Sequence, residues 1–112
     1  MRSHVTTHVL DAARGVPASG IDVVLEQRNG DVWQVIGAGV TDGDGRINAL
    51  GPEALGVGRY RVGFDTGAYF AARGISAFYP EVVVVFELTD VSSHYHVPLL
   101  LSPFAYSTYR GS

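Results

Sequence analysis

The chain is divided into short runs rich in Val, Ile, Tyr and Phe, each interrupted by Gly, Asp, Asn or Pro before it reaches the length of an ordinary helix. Such residues fit a pleated, half-buried surface, and punctuation at this spacing belongs to an all-β sandwich or barrel. The pattern predicts strands over Thr6–Asp11, Ile21–Arg28, Val32–Val40, Gly45–Ala49, Gly58–Phe64, Glu81–Thr89, His94–Leu101 and Ala105–Tyr109. In Arg28-Asn29-Gly30-Asp31 the Asn-Gly pair accepts positive φ, so a tight hairpin is expected there. Only Asp65–Gly74 departs from the pattern: Ala68, Tyr69, Ala71, Ala72 and Arg73 suit a short helix, and Gly74 suits its end. With no repeats or linker-like stretches, residues 1–112 read as one domain, long enough to bury its own core.

Side chains alternate faces along a strand, so the apolar set of each run identifies its core face. In Val5-Thr6-Thr7-His8-Val9-Leu10-Asp11, the residues Val5, Thr7 and Val9 share one face and leave Thr6, His8 and Leu10 on the other. In His94-Tyr95-His96-Val97-Pro98-Leu99-Leu100-Leu101, the core set is Tyr95, Val97, Leu99 and Leu101, which leaves His94, His96, Pro98 and Leu100 together. Two strands thus carry histidines on a non-core face that is half polar and half apolar, the mixture of a ligand-lining subunit interface. The competing readings are a solvated histidine pair and a three-histidine zinc site, for which no supporting carboxylate can be picked out of the sequence.

Composition narrows the chemistry. There is no cysteine, and all eight basic residues are arginine, so thiol nucleophiles, cysteine-ligated metals, Schiff bases and a P-loop lysine are excluded. A net charge of −3 with scattered arginines gives no footprint for nucleic acid or an anionic membrane, which points to a small-molecule partner. Hydrophobic residues make up 46% and charged residues 17%, with no run long enough to span a bilayer; so little surface charge suggests a face covered by another subunit. Met1–Thr7 has no apolar stretch or cleavage site of a secretory leader, and a cytoplasmic protein is expected.

Two further segments stand out. Thr41-Asp42-Gly43-Asp44-Gly45-Arg46 reads as a turn, and it lacks the downstream glutamate of a calcium loop. Just past it, Arg46 is placed where a rigid loop would aim a guanidinium at a planar anion, unless it is a plain surface arginine. The end, Tyr106-Ser107-Thr108-Tyr109-Arg110-Gly111-Ser112, offers a phenol, a guanidinium, a hydroxyl and a carboxylate within a few residues of a strand-like run.

Together these blocks resemble the transthyretin-related 5-hydroxyisourate hydrolases: Thr7-His8-Val9-Leu10-Asp11 near the start, Thr41-Asp42 through Arg46 in the middle, and above all the closing run from His94 to Ser112. The resemblance spans the whole chain; the one small departure is Phe104-Ala105, where the family more often has Tyr-Gly. Transthyretin itself, a hormone carrier, is similar in framework but has lysine, glutamate and threonine where this chain has His8, Arg46 and His96, and it lacks the Tyr-Arg-Gly-Ser ending.

The resemblance implies a sandwich of two four-stranded sheets with one short helix, assembled as a homotetramer whose sites lie in the channel between dimers. It implies hydrolysis of 5-hydroxyisourate to 2-oxo-4-hydroxy-4-carboxy-5-ureidoimidazoline in urate degradation, with no metal or cofactor. His8 and His96 are then expected to position and activate water, and Arg46 and Arg110 to hold the anionic heterocycle. Ser112 is expected to orient a histidine or the water. Tyr109 and Gly111, which share a parity, are expected to line the channel, with His94 supporting His96 from behind.

Overall fold

Each predicted strand has one apolar face to remove from water, and two sheets pressed together do that for all of them at once. The structure, a computed structural model, describes residues 2–112. Its elements in chain order are β1 (Val5–Asp11), β2 (Val16–Pro17), β3 (Asp22–Asn29), β4 (Val32–Val40), β5 (Arg46–Ile47), β6 (Gly58–Phe64), α1 (Thr66–Ala71), β7 (Val82–Leu88), β8 (Tyr95–Ser102) and β9 (Ala105–Thr108). One sheet runs β4-β3-β6-β7, antiparallel throughout. The other runs β2-β1-β8-β9, and β5 also pairs with β1. In it β1 and β8 are parallel and in register from Val5 opposite Tyr95 to Asp11 opposite Leu101.

The pairing explains how the strand count meets expectation. β2 pairs with Leu10 and Asp11, and β5 with Thr7 and His8, so the two short strands follow one another along a single edge of β1. The sheet is therefore four strands wide, as the sandwich expectation requires. β2 was not anticipated, because two residues ending in Pro17 carry no alternation to read. The strand expected over Gly45–Ala49 shrinks to Arg46–Ile47, since the chain beyond turns away and the Asn48 carbonyl accepts from the Ser3 N–H at 2.8 Å.

The hairpin expected at Asn29-Gly30 forms, but its turn is shifted by one residue. Asn29 still pairs with Val32, and the two central residues are Gly30 and Asp31. Gly30 has φ +59° and, among the described residues, no non-glycine residue has positive φ, so the glycine takes the first central position of the turn. The helix falls inside Asp65–Gly74: the Asp65 side chain accepts from the Ala68 N–H at its start, and Gly74 ends it with φ +69°.

Between the sheets lie Val5, Val9, Val97, Leu99 and Leu101 from one side and Val23, Leu25, Tyr60, Val62 and Phe64 from the other, all buried. Asp11 joins them as a buried carboxylate. It accepts from the Tyr69 hydroxyl at 2.8 Å and from the Arg14 N–H at 3.1 Å, which ties α1 to the end of β1. Burial first, and the bond to Asp11 second, push the Tyr69 phenol upward, so it remains a donor. Asp11→Ala strands that hydroxyl in the core, and is expected to cost about 2–3 kcal/mol in urea unfolding. A loss below about 0.5 kcal/mol, the range of an ordinary surface change, would show that the tie carries no weight.

Candidate active site

The parallel β1–β8 pair sets one histidine-bearing strand beside the other. Thr6 stands opposite His96, His8 opposite Pro98 and Leu10 opposite Leu100, all on the face turned away from the core. On the other edge of β1, Arg46 stands opposite His8. Directly opposed residues hold their Cβ atoms about 5 Å apart, so His8, Arg46 and His96 form a compact group across three neighbouring strands.

A locked loop delivers Arg46. The Asp42 carboxylate accepts from the N–H groups of Asp44 at 2.9 Å and Arg46 at 3.0 Å, while the Asp42 N–H donates to the Arg46 carbonyl at 3.0 Å. Those two backbone donors, Arg46 first, hold Asp42 below the usual carboxylate value, so it remains an anion across the neutral range. Gly45, at φ +74°, lets the loop close against β1: its carbonyl accepts from the Val9 N–H at 2.8 Å, and a Cβ there would sit on the Val9 carbonyl.

The C-terminal tail continues the β8–β9 ladder. Thr108 is opposite Leu99, and past the end of β9 the Gly111 N–H donates to the His96 carbonyl at 2.9 Å in the same antiparallel register. Tyr109 therefore falls opposite Pro98 on the outer face, and Gly111 lies flat on the His96 ring. A Cβ on Gly111 would come within 2.6 Å of His96 Cδ2 and 3.0 Å of Pro98 Cγ. Ser112 follows at the exposed end. The alternation that brings Tyr109 and Gly111 to this face sends Arg110 to the other: its guanidinium lies 4.2 Å from the centre of the Tyr95 ring, on the core side of β8. Of the residues singled out from sequence, the structure thus brings His8, Arg46, His96, Tyr109 and Gly111 together and directs Arg110 elsewhere.

His96 is half-buried, and its Nδ1 lies 2.8 Å from Thr6 Oγ1. The same hydroxyl lies 2.8 Å from His94 Nε2. Burial, then the nearby Arg46 and His8, hold His96 below the ordinary imidazole value of 6.5; burial and then Arg2 do the same to His94. Both rings are neutral at pH 7, and His96 has a lone pair to offer. Thr6 was missed as a functional residue: its parity with His8 was legible, but nothing in a single sequence says that β1 lies against β8. The remaining histidine, His4, is structural. Its Nδ1 accepts from the Leu55 N–H at 2.9 Å, so Nε2 carries the hydrogen and donates to the Ser93 carbonyl at 2.7 Å.

Residues 5–111 match the HIUase/Transthyretin family. The chain belongs to that family. Among curated relatives of this HIUase/Transthyretin chain, 5-hydroxyisourate hydrolase of Salmonella dublin is 50% identical over 96% of this chain and 80% of its own length. The 5-hydroxyisourate hydrolase of Caulobacter vibrioides is 44% identical over 98% and 99%, and that of Mus musculus 44% over 98% and 96%. Among solved structures, Klebsiella pneumoniae 5-hydroxyisourate hydrolase superposes with a TM-score of 0.84 at 36% identity, covering 96% of this chain and 98% of that one. Sea bream transthyretin in complex with thyroxine gives 0.90 at 38% identity, covering 96% and 93%. Among the described residues, no group of three or more His, Asp or Glu side chains converges as metal ligands, and no helix is long and apolar enough to cross a membrane.

Proposed function

We propose that this chain hydrolyses 5-hydroxyisourate to 2-oxo-4-hydroxy-4-carboxy-5-ureidoimidazoline, acting as a cytoplasmic homotetramer. The observation that carries the reading is the register that sets His8, Arg46 and His96 on one outward sheet face with Tyr109 and Gly111 at its margin. Relatives at 44–50% identity bear that enzyme's name, which gives the substrate.

The chemistry asked of the site is addition of water to a ring carbonyl followed by cleavage of the adjoining C–N bond. The His8–His96 pair takes the proton of the attacking water and returns one to the leaving nitrogen. Arg46 offers a forked donor to the carbonyl oxygen as negative charge builds on it. Tyr109 and Gly111 limit the space above Pro98 and His96, and Ser112 supplies a hydroxyl or its carboxylate to orient a histidine or the water. Arg110, on the opposite side of the tail, holds the tail against Tyr95 and is not assigned to the substrate.

Assembly is supported by what the single chain leaves open. β7 and β9 are free sheet edges, and a groove of about 210 Å³ between them is lined by Val84, Phe86, Val97 and Thr108. Val85 is 54% exposed and Tyr106 41% exposed along those edges, a surface that soluble chains ordinarily cover. Leu10 and Leu100 on the outer face remain partly exposed beside the histidines, as expected where a second pair of subunits closes a channel. A monomer by light scattering would overturn the assembly.

The activity is tested by the ultraviolet decay of 5-hydroxyisourate generated in place from urate by urate oxidase. Acceleration over the spontaneous decay is expected, and none from a folded tetramer would overturn the reading. The pH dependence has a definite sign. Because His96 and His94 are held below 6.5, protonation is disfavoured in the folded chain. The rate (kcat/KM) should be flat around pH 7 and fall only as pH drops below 6.5. Folding stability should fall over the same interval, because these groups stabilise the fold only while neutral. An acid limb centred above 6.5 would contradict the assignment.

A further inference from the structure

We propose that Arg2 steers the anionic substrate to this site: its guanidinium stands at the open end of the histidine-bearing face and draws a planar anion toward His96. This rests on the hydrolase reading and adds to it how the substrate arrives.

The outward groups of β1 and β8 form a row. It begins with Leu10 beside Leu100, passes His8 and then Thr6 beside His96, and ends at His94, whose Nε2 lies 2.8 Å from Thr6 Oγ1. The apolar end, at Leu10 and Leu100, is the one that assembly closes, which leaves the His94 end as the way in. Beyond His94 lies a polar cavity of about 210 Å³, lined by Arg2, Ser3, Glu53, Ser92, Ser93 and His94 among others. A single hydroxyl, that of Thr6, bridges the His94 wall of this cavity and the His96 ring.

Arg2 is exposed, but the segment that carries it is tied down. The Ser3 N–H donates to the Asn48 carbonyl at 2.8 Å and the His4 N–H to the Pro52 carbonyl at 2.9 Å, and both residues are buried. The chain next to Arg2 is thereby fastened to the connection between β5 and β6.

Charge decides what the cavity attracts. Among the described residues, no carboxylate lies within ion-pair distance of Arg2. The nearby acids are Glu53, exposed on the cavity wall, and Asp90. The Asp90 carboxylate is already engaged by the Ser92 N–H at 3.0 Å and by the hydroxyls of Ser92 at 2.6 Å and Ser93 at 2.8 Å. The Arg2 charge reaches both rings of the row: burial first and Arg2 second hold His94 low, and at His96 Arg2 adds to burial, Arg46 and the other histidines. A guanidinium that disfavours a proton on those imidazoles favours an anion in the same place, by the same Coulomb interaction. Over the ~10 Å screening length of 0.1 M salt the attraction extends into the solvent outside the site, and it fades as salt is added.

Kinetics of Arg2→Gln across ionic strength test the proposal. At about 10 mM salt, kcat/KM for 5-hydroxyisourate is expected to fall about 3- to 10-fold with kcat unchanged, and the deficit to vanish by about 0.5 M salt. Arg2→Lys keeps the charge and is expected to keep the rate, while Glu53→Gln removes an opposing charge and is expected to raise kcat/KM at low salt. An Arg2→Gln chain as fast as wild type at low salt, or a deficit that persists in high salt, would overturn the proposal. A second readout needs no turnover: the NMR titration midpoint of His94 is expected to move upward in Arg2→Gln. A midpoint that stays in place would show that the charge does not reach the row, and would also overturn the proposal. Absence of hydrolysis by the wild-type chain would defeat the functional reading, whereas normal hydrolysis with a salt dependence indifferent to Arg2 would defeat this inference alone.

Discussion

Replacing His96 with alanine is expected to lower turnover of 5-hydroxyisourate by about two to four orders of magnitude while leaving the unfolding transition close to its original position. The two halves of that expectation come from the two faces of β8. Tyr95, Val97 and Leu99 alternate with His96 and carry the burial, and none of them is disturbed by shortening an outward side chain. The ring's hydrogen bond is to Thr6 Oγ1, which keeps His94 as a partner after the change. The kinetic loss is that of a group accepting a proton in the transition state; at 1.36 kcal/mol per tenfold, it corresponds to about 3–5.5 kcal/mol of barrier. A His96→Ala chain that kept full turnover would remove His96 from the mechanism, whatever its fold.

Deleting Tyr109 to Ser112 is expected to abolish turnover with the sandwich intact. β9 ends at Thr108, whose hydroxyl still donates to the Pro98 carbonyl at 2.7 Å, so the sheet retains its edge strand. What disappears is the Gly111 bridge to His96, the surface that covers His96 and Pro98, and the groups of Tyr109 and Ser112. The imidazole would gain water and freedom together, and a site that depends on a dry, fixed base loses both advantages. Circular dichroism should show an unchanged strand signal beside a rate equal to the spontaneous decay. Retained activity would reduce the tail to a structural edge.

Where alternation ran over seven or eight residues, the sequence was readable to the side chain. The assignments of Val5, Thr7 and Val9 inward and of His8 and Leu10 outward hold in β1, as do those of Tyr95, Val97, Leu99 and Leu101 against His94, His96 and Leu100 in β8. Pro98 keeps its outward parity but is buried, because the tail lies over it. Parity also placed Tyr109 and Gly111 together. The expectation that Arg110 holds the substrate came from the resemblance alone and ran against that same parity, and in the structure the residue follows its parity. What could not be read was adjacency. That β1 lies beside β8, and that Thr6 therefore bridges two histidines, is a property of the folded topology. Pieces as short as Val16–Pro17 and Arg46–Ile47 owe their strand geometry to β1 rather than to their own residues. The single-residue shift of the hairpin at Gly30 has a similar origin: the β3–β4 ladder keeps Asn29 paired with Val32, which leaves Gly30 to take the positive φ.

The parallel pairing of the first and eighth strands also sets when the enzyme comes into being during synthesis. The Thr6–His96 hydrogen bond closes a span of 90 positions, whereas β3, β4, β6 and β7 all lie between residues 22 and 88 and pair with one another. A nascent chain that has emerged through β7 holds every strand of one sheet and no parallel partner for β1. Closing that long loop carries the entropic cost of a distant contact, and the hairpins are free to form first. The face that carries His8 and His96 therefore has the longest loop to close, and it is expected to assemble after the β4-β3-β6-β7 sheet.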